Sequence, residues 1–228
     1  MKKVITFISD THGKHEQVGS FLPGGDFLFH AGDFMNSGYY WNELTPFLEW
    51  FDGIKGYEHK LFIAGNHDRL FEDEYIDATR KVREYKTIGY LQDSKVTRDD
   101  VKIYGSPWQP EFYGWAFNLP RNGEDLREKW FWIPDDTDVL ITHGPPYGTL
   151  DVAGMGAGHV GDELLAERLE VVKPKIHVFG HIHGGYGYKF DGHTHYFNAS
   201  VLNERYSFTN KPMTVIWDTE KNEVEFLD

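Results

Sequence analysis

The chain has 228 residues, a formal net charge of -13 and no cysteine. That size suits one globular domain spanning 1–228. The missing thiols exclude disulfides, thiolate metal sites and a Cys nucleophile, and the acidic surface argues against long nucleic acids, whose binding rests on Lys and Arg contacts to phosphate.

The first apolar run, Val4–Ile8, comes after two lysines as in a signal peptide. It is shorter than the ~7–15 residues of such a segment and stops at Asp10, so it reads as a strand. No later run approaches the ~20 residues of a membrane helix. Phe27–His30, Lys60–Ala64, Val101–Tyr104, Val139–Thr142 and Ile176–Phe179 read as further buried strands. Trp41–Phe51, Asn122–Phe131 and Asp162–Val172, with Asp162 as cap, have helical spacing. Strands alternating with helices indicate an α/β architecture. After residue 185 the style changes: Tyr186–Phe190, His193–Phe197, Met213–Asp218 and Val224–Leu227 alternate and read as antiparallel strands.

Polar blocks at the strand ends carry the chemistry. Ser9-Asp10-Thr11-His12, Gly32-Asp33, Gly65-Asn66-His67-Asp68, His143-Gly144 and Gly180-His181-Ile182-His183 each come directly after an apolar run. Ligands of open α/β sheets bind outside the carboxyl ends of the strands. Singly, each block has a structural reading, since Asp starts turns and caps helices and a lone His can close a strand. Together they bring imidazoles, carboxylates and one carboxamide to one edge.

In that order the five blocks resemble the signature of calcineurin-like metallophosphoesterases, and the match runs from Asp10 to His183. Ser106-Pro107-Trp108-Gln109-Pro110, Trp115-Ala116-Phe117-Asn118 and Thr142-His143-Gly144-Pro145-Pro146 further resemble the small metallophosphoesterase-domain-containing branch, which is associated with phosphodiester hydrolysis. The resemblance implies a four-layer α/β/β/α sandwich: two mixed sheets face to face, flanked by helices. It implies two divalent transition-metal ions sharing Asp33, one held with Asp10, His12 and His183 and the other with Asn66, His143 and His181. A nitrogen and oxygen donor set without sulfur suits Mn, Fe, Zn, Co or Ni. The implied reaction is attack of a metal-activated hydroxide on the phosphorus of a small phosphate ester, with a cyclic or short nucleotide as the leading substrate and a phosphomonoester as the alternative.

The resemblance places His67 near the leaving-group oxygen as a catalytic residue beside Asp33. Many relatives pair that His with an Asp at the position of Asn36, and an amide cannot hold an imidazolium as a carboxylate does. Asp68 reads as a turn residue or a support behind the ligands. Asn66, His67, Trp115, Asn118 and Arg121 are candidate substrate contacts. Trp115 is read as a wall on which a nucleobase stacks, and Asn118 and Arg121 as partners of phosphate or base. His193 and His195 read as residues sharing one strand face with Phe197, His30 and His177 as packed interior residues, and His159 in Gly156-Ala157-Gly158-His159 as a loop residue. No Arg lies in Phe34–Gly38, unlike the matching segment of protein phosphatases. A non-catalytic platform is disfavoured because every signature position is intact. A cytoplasmic setting is expected, and the oligomeric state is left open.

Overall fold

The computed structural model describes residues 1–154, 156 and 158–227. Ala157 of the Gly156–His159 segment lies outside them.

The strands in chain order are β1 (Lys2–Ile8), β2 (Gly25–His30), β3 (Tyr57–Phe62), β4 (Ile88–Tyr90), β5 (Ser94–Arg98), β6 (Val101–Ser106), the short β7 (Gln109–Pro110) and β8 (Asn118–Leu119), and β9 (Val139–Thr142). The short β10 (Val152–Ala153) and β11 (Gly158–His159) come next, then β12 (Ile176–Phe179), β13 (Gly187–Phe190), β14 (His195–Asn198), β15 (Met213–Asp218) and β16 (Glu223–Leu227). The α-helices are α1 (Trp41–Gly53), α2 (Leu70–Asp73), α3 (Tyr75–Val82), α4 (Glu124–Phe131) and α5 (Glu163–Val172).

One six-stranded sheet runs β16-β15-β1-β2-β3-β4 and the other β13-β14-β12-β9-β6-β5. Both are mixed. β1 to β4 are mutually parallel, with β15 antiparallel to β1. β6, β9, β12 and β14 are parallel, with β13 and β5 antiparallel at the edges. Alternate residues of the parallel strands divide between faces. Phe27, Phe29, Val139, Ile141, Ile176 and Val178 pack between the sheets. Leu28 and Phe62 turn outward onto Leu44, Phe47 and Phe51 of α1 and Ala78 and Val82 of α3. Leu140 and Phe179 turn outward onto Leu126 and Trp130 of α4 and Leu164 and Leu169 of α5. Three apolar layers between four structural layers give the expected sandwich. Strands buried on both faces explain the continuous apolar runs. Asp162 caps α5 by accepting from Leu164 N and Leu165 N.

The C-terminal part departs from the sequence reading in two ways. β14 is antiparallel to β13 but parallel to β12. Its end therefore reaches the same edge as the ends of β1, β2, β3, β9 and β12. His193 is not on the strand: it lies in a turn closed by His193 N and Thr194 N donating to Asp191 Oδ1, so it does not share a face with His195. At the common edge the sheets are stitched together by a parallel bridge between Ser9 and Ser200.

Among the described residues, no helix is long and apolar enough to cross a membrane.

Candidate metal centre

Each sequence-derived ligand leaves the carboxyl end of a strand and is turned back over it by a tight loop. Asp10 (φ 55°), His12 (φ 40°), Asp33 (φ 57°) and His181 (φ 65°) all adopt left-handed backbone. That conformation costs ~1–3 kcal/mol per non-glycine residue and collects at functional sites. Backbone bonds hold it, with Asp10 N donating to Gly32 O and His12 N to Asp33 O, both at 3.0 Å. Two glycines permit the close approach. A Cβ at Gly180 would run into the Asp10 carboxylate and the Ser9 hydroxyl, and one at Gly65 would meet the Asp33 carboxylate and lie 2.6 Å from His143 Cε1.

The loops converge on Asp33. His143 Nε2 lies 3.3 Å and His12 Nε2 3.7 Å from Asp33 Oδ2. On one side, Asp10, His12 and His183 present donor atoms within 4.8 Å of one another; on the other, Asp33, His143 and His181 do the same. His183 Nε2 is 3.3 Å from Asp10 Oδ1, and Asn66 Oδ1 is 3.0 Å from His143 Nε2. The two donor groups place His181 and His183 on opposite sides of Asp33. His12, Asp33 and His67 form a third, overlapping group.

The imidazoles are aimed by backbone carbonyls. Nδ1 of His12 is bonded to Met35 O, of His143 to Ala31 O and of His183 to Asn203 O, at 3.2, 2.8 and 3.0 Å. Nδ1–H donates in each case, so once its proton is displaced Nε2 offers a lone pair toward the carboxylates, the arrangement that orients metal-binding histidines. His12 Nε2 is buried and has no hydrogen-bond partner among the described residues. Buried anions, inward lone pairs and an orphaned imidazole nitrogen fit divalent metal ions.

Electrostatics agree. Burial opposes ionisation of Asp33, yet His143, His67 and His12 hold its carboxyl well below the usual carboxylate range. Burial likewise opposes Asp10, and the His183 hydrogen bond and charge outweigh it. The reciprocal effect overcomes burial at His143, which Asp33 pushes up to about 9, and at His183, which Asp10 pushes up to about 9. Burial instead lowers His12 to about 4 and His181 to about 3. The carboxylates therefore draw cationic charge into the edge, and a metal ion would displace protons to take that place.

Residues outside the implied ligand set complete the centre. Asp68 Oδ2 accepts from Asp33 N and Gly65 N, and Oδ1 from Met35 N, at 2.7–2.9 Å, clasping two ligand loops together. Three more were missed by the sequence reading. Ser200 donates to Asp10 at 2.8 Å, and Asn198 Nδ2 holds Ile182 O between the two histidines at 2.9 Å. Tyr206 packs its ring against His12 and His183, with centroids 4.8 and 5.2 Å away. Asn198-Ala199-Ser200 is itself a polar block after an apolar strand, the signal that found the other five.

The remaining candidates are placed differently from expectation. His67 donates from Nδ1 to the backbone oxygen of Asn36 at 2.6 Å, so the Asn36 side chain is not its support. Trp115 stacks on His67, centroids 4.1 Å apart at 26°, so that aromatic face is taken by a histidine. Asn118 is occupied within its own loop, accepting from Gln109 Nε2 and donating to Phe112 O. Arg121 spends its guanidinium on Glu163 and on the carbonyls of Val160 and Gly161. Three Arg121 contacts and one Asn118 N–H are spent within the protein, and Arg121 also lines the cleft beside His181. His30 and His177 are fully buried, bonded to Thr11 and Thr142. His159 bonds Asp151 in its loop.

A family model described as calcineurin-like phosphoesterase matches residues 3–185. The chain is 44% identical over 236 residues to Metallophosphoesterase domain-containing protein 1 of Homo sapiens and of Mus musculus, covering 94% of this chain and 71% of each relative. It is 37% identical over 238 residues to UPF0046 protein T07D4.2 of Caenorhabditis elegans, covering 92% of this chain and 58% of that protein. The crystal structure of TT1561 of Thermus thermophilus shares the fold with a TM-score of 0.70 at 16% identity, covering 100% of this chain and 99% of that one.

Proposed function

The chain belongs to the calcineurin-like phosphoesterase family, and from that premise we propose that it hydrolyses phosphodiesters of small molecules, cyclic or short nucleotides among them, with two divalent transition-metal ions. The observation that carries the reading is the position of Asp33 between two donor groups, Asp10, His12 and His183 on one side and His143 and His181, with Asn66, on the other. Asp10, His12, Asp33 and His183 would hold one ion, and Asp33, Asn66, His143 and His181 the second. Ions bound there would lower the pKa of water and neutralise phosphate oxygens.

The chain's own groups set the rest. Asp10 and Asp33 are buried anions fixed by Ser200, His181 N and His67 N, so they need no rearrangement to receive a cation. His67 faces the cluster with Nε2. Because Nδ1–H is committed to a carbonyl, only the protonated ring presents an Nε2–H that could be given to a leaving oxygen. Trp115 holds that ring in place.

A diester is favoured over a monoester by space on both sides of the cluster. A cleft of about 550 Å³ opens beside His181 and another of about 560 Å³ beside His183, so each ester arm has room. The lack of cysteine and the acidic surface suit a cytoplasmic enzyme acting on small substrates without long nucleic acid.

The test is turnover of bis-p-nitrophenyl phosphate and p-nitrophenyl phosphate by protein stripped with chelator and reloaded with Mn, Fe, Zn, Co or Ni. Asp33→Asn is expected to lower kcat at least ~10³-fold, since ions held this way supply several kcal/mol of charge stabilisation. Full activity in the stripped protein would refute the mechanism, and faster turnover of the monoester would refute the diester preference.

A further inference from the structure

The loop between β6 and α4 places two aromatic rings where they have no structural duty. Phe112 is 51% exposed and Tyr113 87% exposed. Their ring centroids lie 4.4 Å apart at 69°. Phe112 stands edge-on to His181, with ring centroids 6.2 Å apart at 87°. Phe112 and His181 line the same cleft, so an aromatic ring stands where the cleft meets the cluster around Asp33. That cleft continues along Pro110, Pro145, Ala153 and Ile182. Exposed apolar surface contiguous with a reactive centre is a mark of ligand recognition.

The walls are braced on both sides. Asn118 holds the Phe112 carbonyl at 2.9 Å, and Gln109 holds Asn118. Across the cleft, Arg121 ties down Val160 O and Gly161 O and pairs with Glu163. Two residues that made no direct site contact thus hold the cleft open, and Tyr113 sits at the loop tip in left-handed backbone (φ 53°). A cleft held in shape before binding spends less of its contact energy on ordering.

We propose that this cleft is the subsite for a planar aromatic group esterified to the phosphate, with Phe112 and Tyr113 as its stacking wall. This rests on the phosphoesterase reading of the neighbouring cluster and adds the chemistry of one substrate arm. Stacking on an aromatic side chain is sequence-tolerant, so the subsite selects a flat ring rather than one particular base.

The test is calorimetric titration of metal-loaded protein with two matched pairs: phenyl phosphate against methyl phosphate, and adenosine 5′-monophosphate against ribose 5-phosphate. The ring-bearing member of each pair is expected to bind about tenfold tighter or more, the yield of one stacking contact. In Phe112→Ala/Tyr113→Ala the two members of each pair should bind alike. Both positions are exposed, so the variant folds. Equal binding of phenyl and methyl phosphate to the unaltered protein would overturn the subsite while leaving the phosphoesterase reading standing. A ring preference that survives the double substitution would overturn the wall. Failure of every phosphate, inorganic phosphate included, to bind would sink the phosphoesterase reading and the subsite together. If phenyl phosphate gains but adenosine monophosphate does not, the arm is an aryl group rather than a nucleoside.

Discussion

Replacing Asp68 tests whether the centre is assembled by its loops rather than by its ligands alone. The buried carboxylate accepts three main-chain N–H groups, from Asp33, Gly65 and Met35. In Asp68→Asn the single carbonyl oxygen can replace Oδ2 and serve Asp33 and Gly65. The amide nitrogen must then face Met35 N–H, donor against donor. One hydrogen bond disappears and a buried amide is left bare, which costs ~2–4 kcal/mol. For a chain of this length that lowers Tm by roughly 5–15 °C. Asp68→Ala orphans all three amides, a loss of ~3–9 kcal/mol that approaches the whole ~5–15 kcal/mol of folding stability. The milder variant is therefore the informative one. Loosening the Asp33 and Asn66 loops together should also weaken metal binding by ~10–100-fold, the usual effect of removing a support behind the ligands. The assay is thermal unfolding of stripped Asp68→Asn, then calorimetric titration with Mn. Asp151→Ala is the control. That carboxylate is equally buried and accepts Gly148 N and Gly161 N through one oxygen in a different loop, so removing it should lower Tm without touching metal affinity. Unchanged Tm and unchanged Mn affinity in Asp68→Asn would refute the reasoning, and so would equal loss of affinity in Asp151→Ala.

Gly180→Ala should weaken Mn binding at least ~10-fold by forcing the Asp10 support apart. Gly184→Ala meets only the exposed Glu204 side chain at 2.9 Å and should bind Mn normally by the same titration. Trp115→Ala removes the ring behind His67, so kcat should fall ~3–10-fold alike on aryl and nucleotide diesters, an effect of ~1 kcal/mol. A KM rise confined to nucleotides would restore the stacking-wall role. His177 donates from Nε2 to Thr142 Oγ1, and its Nδ1 is buried without a partner among the described residues. Burial lowers its pKa to about 3. Its unfolded pKa of ~6.5 is higher, so the unfolded chain binds the extra proton: the stability contribution is complete above pH ~6.5 and is lost as pH falls toward 3, at ~1.4 kcal/mol per pH unit. His177→Gln should flatten the acid limb of a denaturation profile between those values, and an unaltered slope would show that the imidazole is not held neutral.

The clustered candidate ligands were legible in the sequence because such chemistry dictates residue type. Asp33 and His143 cannot be swapped for arbitrary residues, and each stands after an apolar run that marks a buried strand. Strand direction was not legible in the same way. Tyr196 and Phe197 fit a parallel neighbour of β12 as well as an antiparallel one, because alternation reports which face is buried and not which way the chain runs. Reading β14 as antiparallel put its end at the wrong edge and hid Asn198 and Ser200, which close the centre around Asp10 and Ile182. Side-chain facing was lost for a related reason: a cluster of aromatics cannot announce that Trp115 turns to His67 while Phe112 and Tyr113 turn to the cleft. The deepest gap concerns the supports. His12, His67, His143 and His183 are aimed by the carbonyls of Met35, Asn36, Ala31 and Asn203. Any residue supplies a carbonyl, so these supports leave no mark on residue identity. That resolves the apparent defect at Asn36. The sequence shows a carboxylate missing beside His67, whereas the structure aims the ring through a main-chain oxygen that an Asp at the same position would also carry. Asn36 therefore leaves the orientation of His67 intact, because the ring is held by the main chain at that position and not by its side chain.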